Sequence, residues 1–538
     1  MPRSIEYPEE PLFSLLERTA EKHPDATAII FQDRKLSYRY LKELVDRFAT
    51  ALQSMGVEKG DRVALFLPNI PQFVISYYGA LKAGAIVTAV SPLYRERELE
   101  HQLVDSGSET LVVLDLLYPV VEKIRDTKLE RTIVTGIKEY LPAVKRVLGS
   151  LLGKVPSRKV ARRPGVHFFQ ELLKAYPPRP SEVQIDPEED LALLQYTGGT
   201  TGTPKGAMLT HHNLVSNAYM CDAWLQAEEG REIHVSVLPL YHIYGMTVTM
   251  NSAIVSAGAM ILIPRFDPAD VLSSIQRHRA SVFCGVPTLY ALLVNHPEIT
   301  KFDISSVKFC ISGASSLPPE VQKRFMELTK GTLVEGYGLT EASPVTHANP
   351  LDPTLETVKI GSIGLAWPDT ESRIVDLEEG ERPLPPGEVG ELVVRGPQVM
   401  KGYWNMPEET ASVLRDGWLY TGDIGRMDED GYFYIVDRKK DLIKYRGYSV
   451  YPMEIEDVIY EHPAVKLCAV VGRPDEVSGE IPKAYIVLKE GAEATEEEMI
   501  QFVRERVAPY KRIREVEFRE ELPMTLVGKV LKRTLREG

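Results

Sequence analysis

"LQYTGGTTGTPKGAMLTH", residues Leu194–His211, decides how the rest of the chain is read. It sets four threonines ahead of a Pro204–Lys205 step and four glycines around it. Glycine and proline oppose the interior of a helix or strand, so the centre of this stretch is a turn. Its flanks, "LALLQY" and "GAML", are apolar, which anchors the turn between two buried segments rather than in a solvated linker. Glycine lets backbone N–H groups approach a ligand, and successive N–H groups form a concavity for phosphate oxygens. Thr197, Thr200 and Thr201 add hydroxyls, and Lys205 adds a cation. Pro204 before the lysine and Gly206 after it exclude a Walker A loop, and there is no G-x-G-x-x-G here for a dinucleotide. The stretch is a phosphate loop of another kind.

Upstream, short β-branched runs alternate with helical patterns. "TAIIF" (27–31), "RVALFL" (62–67), "AIVTAV" (85–90) and "TLVVLD" (110–115) read as strands, and "QFVISYYGALKAG" (72–84) as a helix. Between residues 260 and 334, "MILIPRF", "SVFCGVP" and "VKFCISGA" continue the strand series. This alternation predicts an α/β fold, with helices covering the sheets. From about Gly361 the texture becomes antiparallel, as in "GELVVRGPQVMKGYW" and "GYFYIVDRKK". After Asp437 comes a smaller α+β segment, in which "TEEEMIQFVRERV" opens on a Thr495–Glu498 capping box. The expected organisation is an N-terminal unit over 1–437, with a β-rich subdomain at about 361–437, and a C-terminal unit over 438–538.

Composition narrows the class. The formal charge of −13 argues against general nucleic-acid binding. The four cysteines, 221, 284, 310 and 468, have no C-x-x-C spacing, so neither zinc nor a disulfide framework is expected; Cys284, Cys310 and Cys468 read as core fillers. The amino-terminal stretch lacks an apolar signal core and no apolar run reaches membrane-spanning length, which makes the cytoplasm the default placement. One basic island, residues 137–164, mixes leucines and valines with eight lysines and arginines. It reads either as a solvated amphipathic surface helix or as a peripheral contact with an anionic membrane at its inner face.

Four further motifs follow the loop in order: "EGYGLTEASP" (335–344), "YTGDIG" (420–425), "DRKKDLIKYRGYSVYPMEIE" (437–456) and "LPMTLVGKVLKR" (522–533). With "YTGGTTGTPKG", this series resembles the adenylate-forming superfamily, which includes acyl-CoA synthetases, 4-coumarate–CoA ligase, luciferase and peptide-synthetase adenylation domains. The likeness runs the length of the chain. It implies a large N-terminal lobe of helix-covered sheets with a distorted β-barrel, and a mobile C-terminal domain.

The resemblance also implies roles. Thr197, Gly198, Gly199, Thr200, Thr201, Gly202 and Lys205 would hold ATP phosphates, with Thr201 catalytic. Gly313, Ala314 and Ser315 of "SGASS" would line the adenine edge. Glu335, Gly336, Tyr337, Gly338 and Thr340 would complete the base site, with Tyr337 stacked on adenine. Glu341 and Thr197 would hold Mg²⁺, a cation that prefers hard oxygens. Asp423 would accept from the ribose hydroxyls, Arg438 would meet ribose and phosphate, and Lys444 would face the nucleotide. Lys440 would be the hinge, and Lys529 the catalytic lysine bridging the substrate carboxylate and the α-phosphate. His242, Tyr244, Gly447 and Tyr448 would belong to the acyl and CoA sites.

The reaction implied is ligation of an acid to CoA with ATP, through an acyl-adenylate. "LPLYHIYG" (238–245), which corresponds to the acyl pocket, carries no acid to pair with a substrate ammonium, so amino acids are not expected. The glycine loop most resembles that of long-chain fatty acid–CoA ligases. Medium-chain or aryl acids, a carrier protein in place of CoA, and a non-catalytic membrane-associated acyl-binding protein are the alternatives. Met524 departs from the basic residue common in relatives and bears only on peripheral CoA contacts.

Overall fold

The computed structural model describes residues 2–151, 153, 155–197, 204–446, 448–475, 477–524 and 530–536, with backbone alone over 148–151. Its largest sheet has eight strands, in the order 402–403, 205–210, 191–197, 86–89, 62–66, 110–114, 131–135 and 166–168. From 191–197 to 166–168 the neighbours are parallel, while 205–210 and 402–403 run antiparallel at one edge. The central parallel strands, 62–66, 86–89 and 110–114, are buried on both faces, which is why they are apolar runs without alternation. Helix Pro71–Lys82 starts on proline and is buried at eleven of its positions, every one except Lys82. Apolar on all sides, it is packed as a core element.

Two four-stranded sheets follow. One runs 233–236, 259–262, 27–31, 34–37; the other runs 309–312, 332–338, 345–348, 365–366. "SVFCGVP", expected as a strand, is not a regular one. Val282 bridges singly to His234 on one side and to Phe309 on the other, and Gly285 bridges to Ser312. Its extended residues join the two sheets but make too few ladder bonds to form a strand.

The β-rich subdomain is built around a five-stranded antiparallel sheet: 371–375, 390–395, 418–427 and 414–415, with 433–438 also paired to 418–427. Trp224 stacks on Trp367 at 5.5 Å between centroids, both fully buried, tying this part of the chain to helix His211–Leu225. Such a pair adds about 0.5–1.5 kcal/mol beyond the area it buries. The C-terminal segment has its own five-stranded sheet and its own apolar core around Ile443, Ile455, Val470, Ile486 and Val503. Helix Glu496–Arg504 is capped as its sequence predicts, Thr495 Oγ1 accepting from Glu498 N–H at 3.1 Å. All four cysteines are buried, as core fillers should be.

Candidate nucleotide site

The antiparallel register of 418–427 with 433–438 sets Asp423 opposite Arg438. Asp423 is 3% exposed, and Arg438 Nε lies 3.0 Å from its Oδ1. Its Oδ2 accepts from the Tyr337 hydroxyl at 2.5 Å. Tyr337 comes from strand Thr332–Gly338, so two sheets deliver one acid, one base and one phenol to a single point. Burial, and then the Asp423 charge, pushes the Tyr337 phenol well up, so it remains a hydrogen-bond donor. The Asp423 charge in turn raises Arg438, which stays a cation.

Glu335, two residues before Tyr337, is buried and accepts from Leu317 N–H at 3.1 Å. Burial pushes its carboxyl up to about 7, against that hydrogen bond, and the Asp457 charge on helix Pro452–Tyr460 adds to the rise. Gly336 and Gly338 have packing reasons for being glycine. A Cβ on Gly338 would collide with the Pro344 carbonyl, and one on Gly336 would meet Ile311 Cγ2 at 2.7 Å. Thr340 opens the short 3₁₀ turn that carries Glu341. In the "SGASS" segment, Gly313 packs on the Tyr244 ring, Ala314 sits in the left-handed region at φ +74° and Ser315 is exposed.

The phosphate-loop ends are held together because Thr197 pairs with Lys205 in register. Gly198, Gly199, Thr200, Thr201 and Gly202 lie outside the described residues, as do Gly447 and Lys529. Lys205 forms an ion pair with Glu409, and its ammonium lies 5.3 Å from the Tyr403 ring centroid. The Tyr403 hydroxyl donates to Glu341 Oε1 at 2.7 Å, and Met400 N–H donates to the Glu341 carbonyl at 2.8 Å. Sequence reading missed Tyr403 and Glu409; the only signal was an aromatic and a Pro-Glu-Glu helix start in "GYWNMPEET".

On the acyl side, His242 Nδ1 accepts from Tyr244 N–H at 3.2 Å, capping the turn that follows. Tyr244 is buried, and its hydroxyl donates into the core, 2.9 Å from the Ile311 carbonyl. It presents ring rather than hydroxyl to its surroundings. The remaining residues sit in the C-terminal unit. Lys444 Nζ donates to Ser449 Oγ at 2.9 Å, and exposed Tyr448 stacks on Tyr510 at 4.9 Å. These contacts are internal to that unit. The Lys440 carbonyl accepts from Arg536 at 3.0 Å.

With this geometry in hand, likeness to known proteins is informative. Residues 16–404 match the family of AMP-binding enzymes, and 454–529 match the AMP-binding enzyme C-terminal domain. A long-chain-fatty-acid–CoA ligase of Bacillus subtilis (strain 168) is 48% identical over 100% of this chain and 96% of its own length. One from Escherichia coli O6:H1 is 40% identical, covering 98% of this chain and 94% of its own. Among solved structures, the anthranilate CoA ligase AuaEII in complex with anthranoyl-AMP superposes with a TM-score of 0.87 at 28% identity, covering 100% of this chain and 98% of that one. The chain belongs to the AMP-binding enzyme family.

Proposed function

We propose that this protein is an ATP-dependent long-chain fatty acid–CoA ligase. The observation that carries it is the meeting of Tyr337, Asp423 and Arg438 from separate motifs at one buried point, in a chain 48% identical to a ligase of that name. In this reading Asp423 takes the ribose hydroxyls, Arg438 the ribose and phosphate, and Lys205 the distal phosphates. A fatty-acid carboxylate oxygen attacks the α-phosphorus and the bond to pyrophosphate breaks. The CoA sulfur then attacks the acyl carbon, the bond to AMP breaks and the thiol proton departs to solvent. Two anions meet in the first step, so cations near the α-phosphate lower its barrier. Lys529 is the chain's own source of that charge.

The oxygen donors of Glu341 and Thr197 fit Mg²⁺, which binds through few protein oxygens plus phosphate and, when bound, offsets phosphate charge. The domain limits 1–437 and 438–538, with Lys440 as the pivot, belong to the same proposal. Peripheral membrane contact rests on helix Ala143–Leu151, where Val144 and Val147 are 69% and 55% exposed. The basic island around it supports this less than its formal charge suggests, because Lys145 pairs with Asp33, Arg162 with Glu171 and Arg163 with Glu122. Among the described residues, no helix is long and apolar enough to cross a membrane.

Pyrophosphate release with carboxylates of graded chain length, with and without CoA, tests the reading. Long-chain acids should give the fastest release, and AMP should appear only with CoA. The likeness to the anthranilate ligase supports an aryl-acid substrate as the second reading, which a preference for aromatic acids in the same panel would establish. Absence of release with every acid would overturn both.

A further inference from the structure

The segment 400–410 clasps the outgoing strand of the phosphate loop. Tyr403 pairs with Ala207, Lys401 N–H donates to the Met208 carbonyl at 3.0 Å, and Trp404 N–H donates to the Gly206 carbonyl at 2.8 Å. Trp404 Nε1 reaches the Asp105 carbonyl at 3.0 Å, and the Asp105 carboxylate accepts from Tyr196, on the opposite strand of the same loop. The backbone here is therefore fixed at several points. From it, two side chains project to charged groups: Tyr403 to Glu341, in the turn Thr340–Ala342, and Glu409 to Lys205, at the loop's end.

The exposures of the ion pair are unequal. The Lys205 side chain is 12% exposed and that of Glu409 is 44%. A buried ammonium without an anion is costly, whereas a half-exposed carboxylate is readily taken up by water. Of the two partners, Glu409 is the one that can leave.

We propose that Glu409 is a built-in stand-in for phosphate, holding Lys205 until a nucleoside triphosphate displaces it, and that Tyr403 is a positioning residue that orients the Glu341 carboxylate. This rests on the reading of Lys205 and Glu341 as phosphate and metal contacts. Incoming phosphate oxygens replace one anion with others, so Lys205 is never left uncompensated. Tyr403 holds one oxygen of Glu341 and sets the direction of the other.

Titration calorimetry with ATP in the presence of EDTA, and separately with adenosine, tests the first half. Glu409→Gln should bind ATP about two- to fivefold more tightly than the parent, the range expected for release of a partly exposed ion pair, with adenosine unchanged. Glu409→Ala, which suits the helix, should do the same. Unchanged or weaker ATP binding by both variants overturns the stand-in role. Tyr403→Phe tests the second half: the Mg²⁺ concentration for half-maximal ATP–pyrophosphate exchange should rise about threefold or more, with ATP affinity in EDTA and melting temperature unchanged. An unmoved Mg²⁺ requirement overturns the positioning role. Lys205→Met binding ATP as well as the parent would instead remove the underlying phosphate reading and leave the Tyr403 result standing.

Discussion

In the proposed site, the base-and-ribose side and the phosphate side are built on different principles. Asp423, 3% exposed, is the buried hub that strand register places opposite Arg438 and that the Tyr337 hydroxyl also reaches, with the outer part of the Arg438 side chain still in contact with water. Lys205, Glu341, Tyr403 and Glu409 are also paired, but here the cation is the buried partner and its carboxylate, Glu409, the exposed one. In that reading the first arrangement would recognise a shape that does not change during the reaction. The second would exchange partners, since phosphates would arrive, be split and depart. Preorganised donors serve a fixed ligand, and exchangeable ions serve a passing one.

The contrast can be pressed hardest on the phosphate side. Lys529→Ala should lower acyl-adenylate formation by roughly 10²–10³, the cost of removing one electrostatic donor at the reacting centre. Thioesterification of a supplied acyl-adenylate should survive; equal loss of both half-reactions would contradict a lysine that serves only the first. Next in size is Asp423→Asn, which keeps the shape but puts an amide where two donors point. Charge-assisted hydrogen bonds contribute about 1.5–3 kcal/mol, so the KM for ATP should rise about 10- to 100-fold in steady-state kinetics. A change under twofold would mean that the locked triad is scaffolding alone.

The smallest effect concerns pH. Glu335 has a folded-state pKa near 7, above its ordinary value, so the folded protein holds that proton more tightly than the unfolded chain does. Its contribution is most favourable below the unfolded pKa and is lost as pH rises towards 7. Glu335→Gln removes that dependence. Melting curves at pH 5, 6, 7 and 8 should show the variant gaining on the parent through this window, by an amount on the order of 2 kcal/mol at most. A constant gap would place Glu335 outside the buried, protonated class.

Much of this architecture could be read from local sequence, because its causes are local. Strand limits around 27–31, 62–66 and 110–114 follow from β-branched runs between turn residues, and the Thr495 cap from a four-residue pattern. "SVFCGVP" has the same composition as its neighbours, yet its pairing depends on what other segments leave available. Composition cannot report that. Tyr403 and Glu409 were invisible for a related reason: their partners lie 62 and 204 residues away, and no periodicity marks them. Part of the basic island is paired with carboxylates from other segments, as Lys145 is with Asp33, and the sequence pattern does not show those partners. Charge counted along a chain is not charge displayed on a surface.

The strand that ends at Arg438 has a mechanical consequence. Arg438 is moored to Asp423 and Lys439 to Glu391, at 3.0 and 2.7 Å, so any torsion at the junction begins beyond them. Past that mooring, Met453 N–H holds Asp437 at 2.8 Å and Arg536 holds the Lys440 carbonyl at 3.0 Å. With Lys440 as the proposed pivot, the small domain would swing from a fixed post, and the Met453–Asp437 contact is the catch it would unfasten. A hydrogen bond of this kind contributes about 1 kcal/mol, a small cost for such a swing.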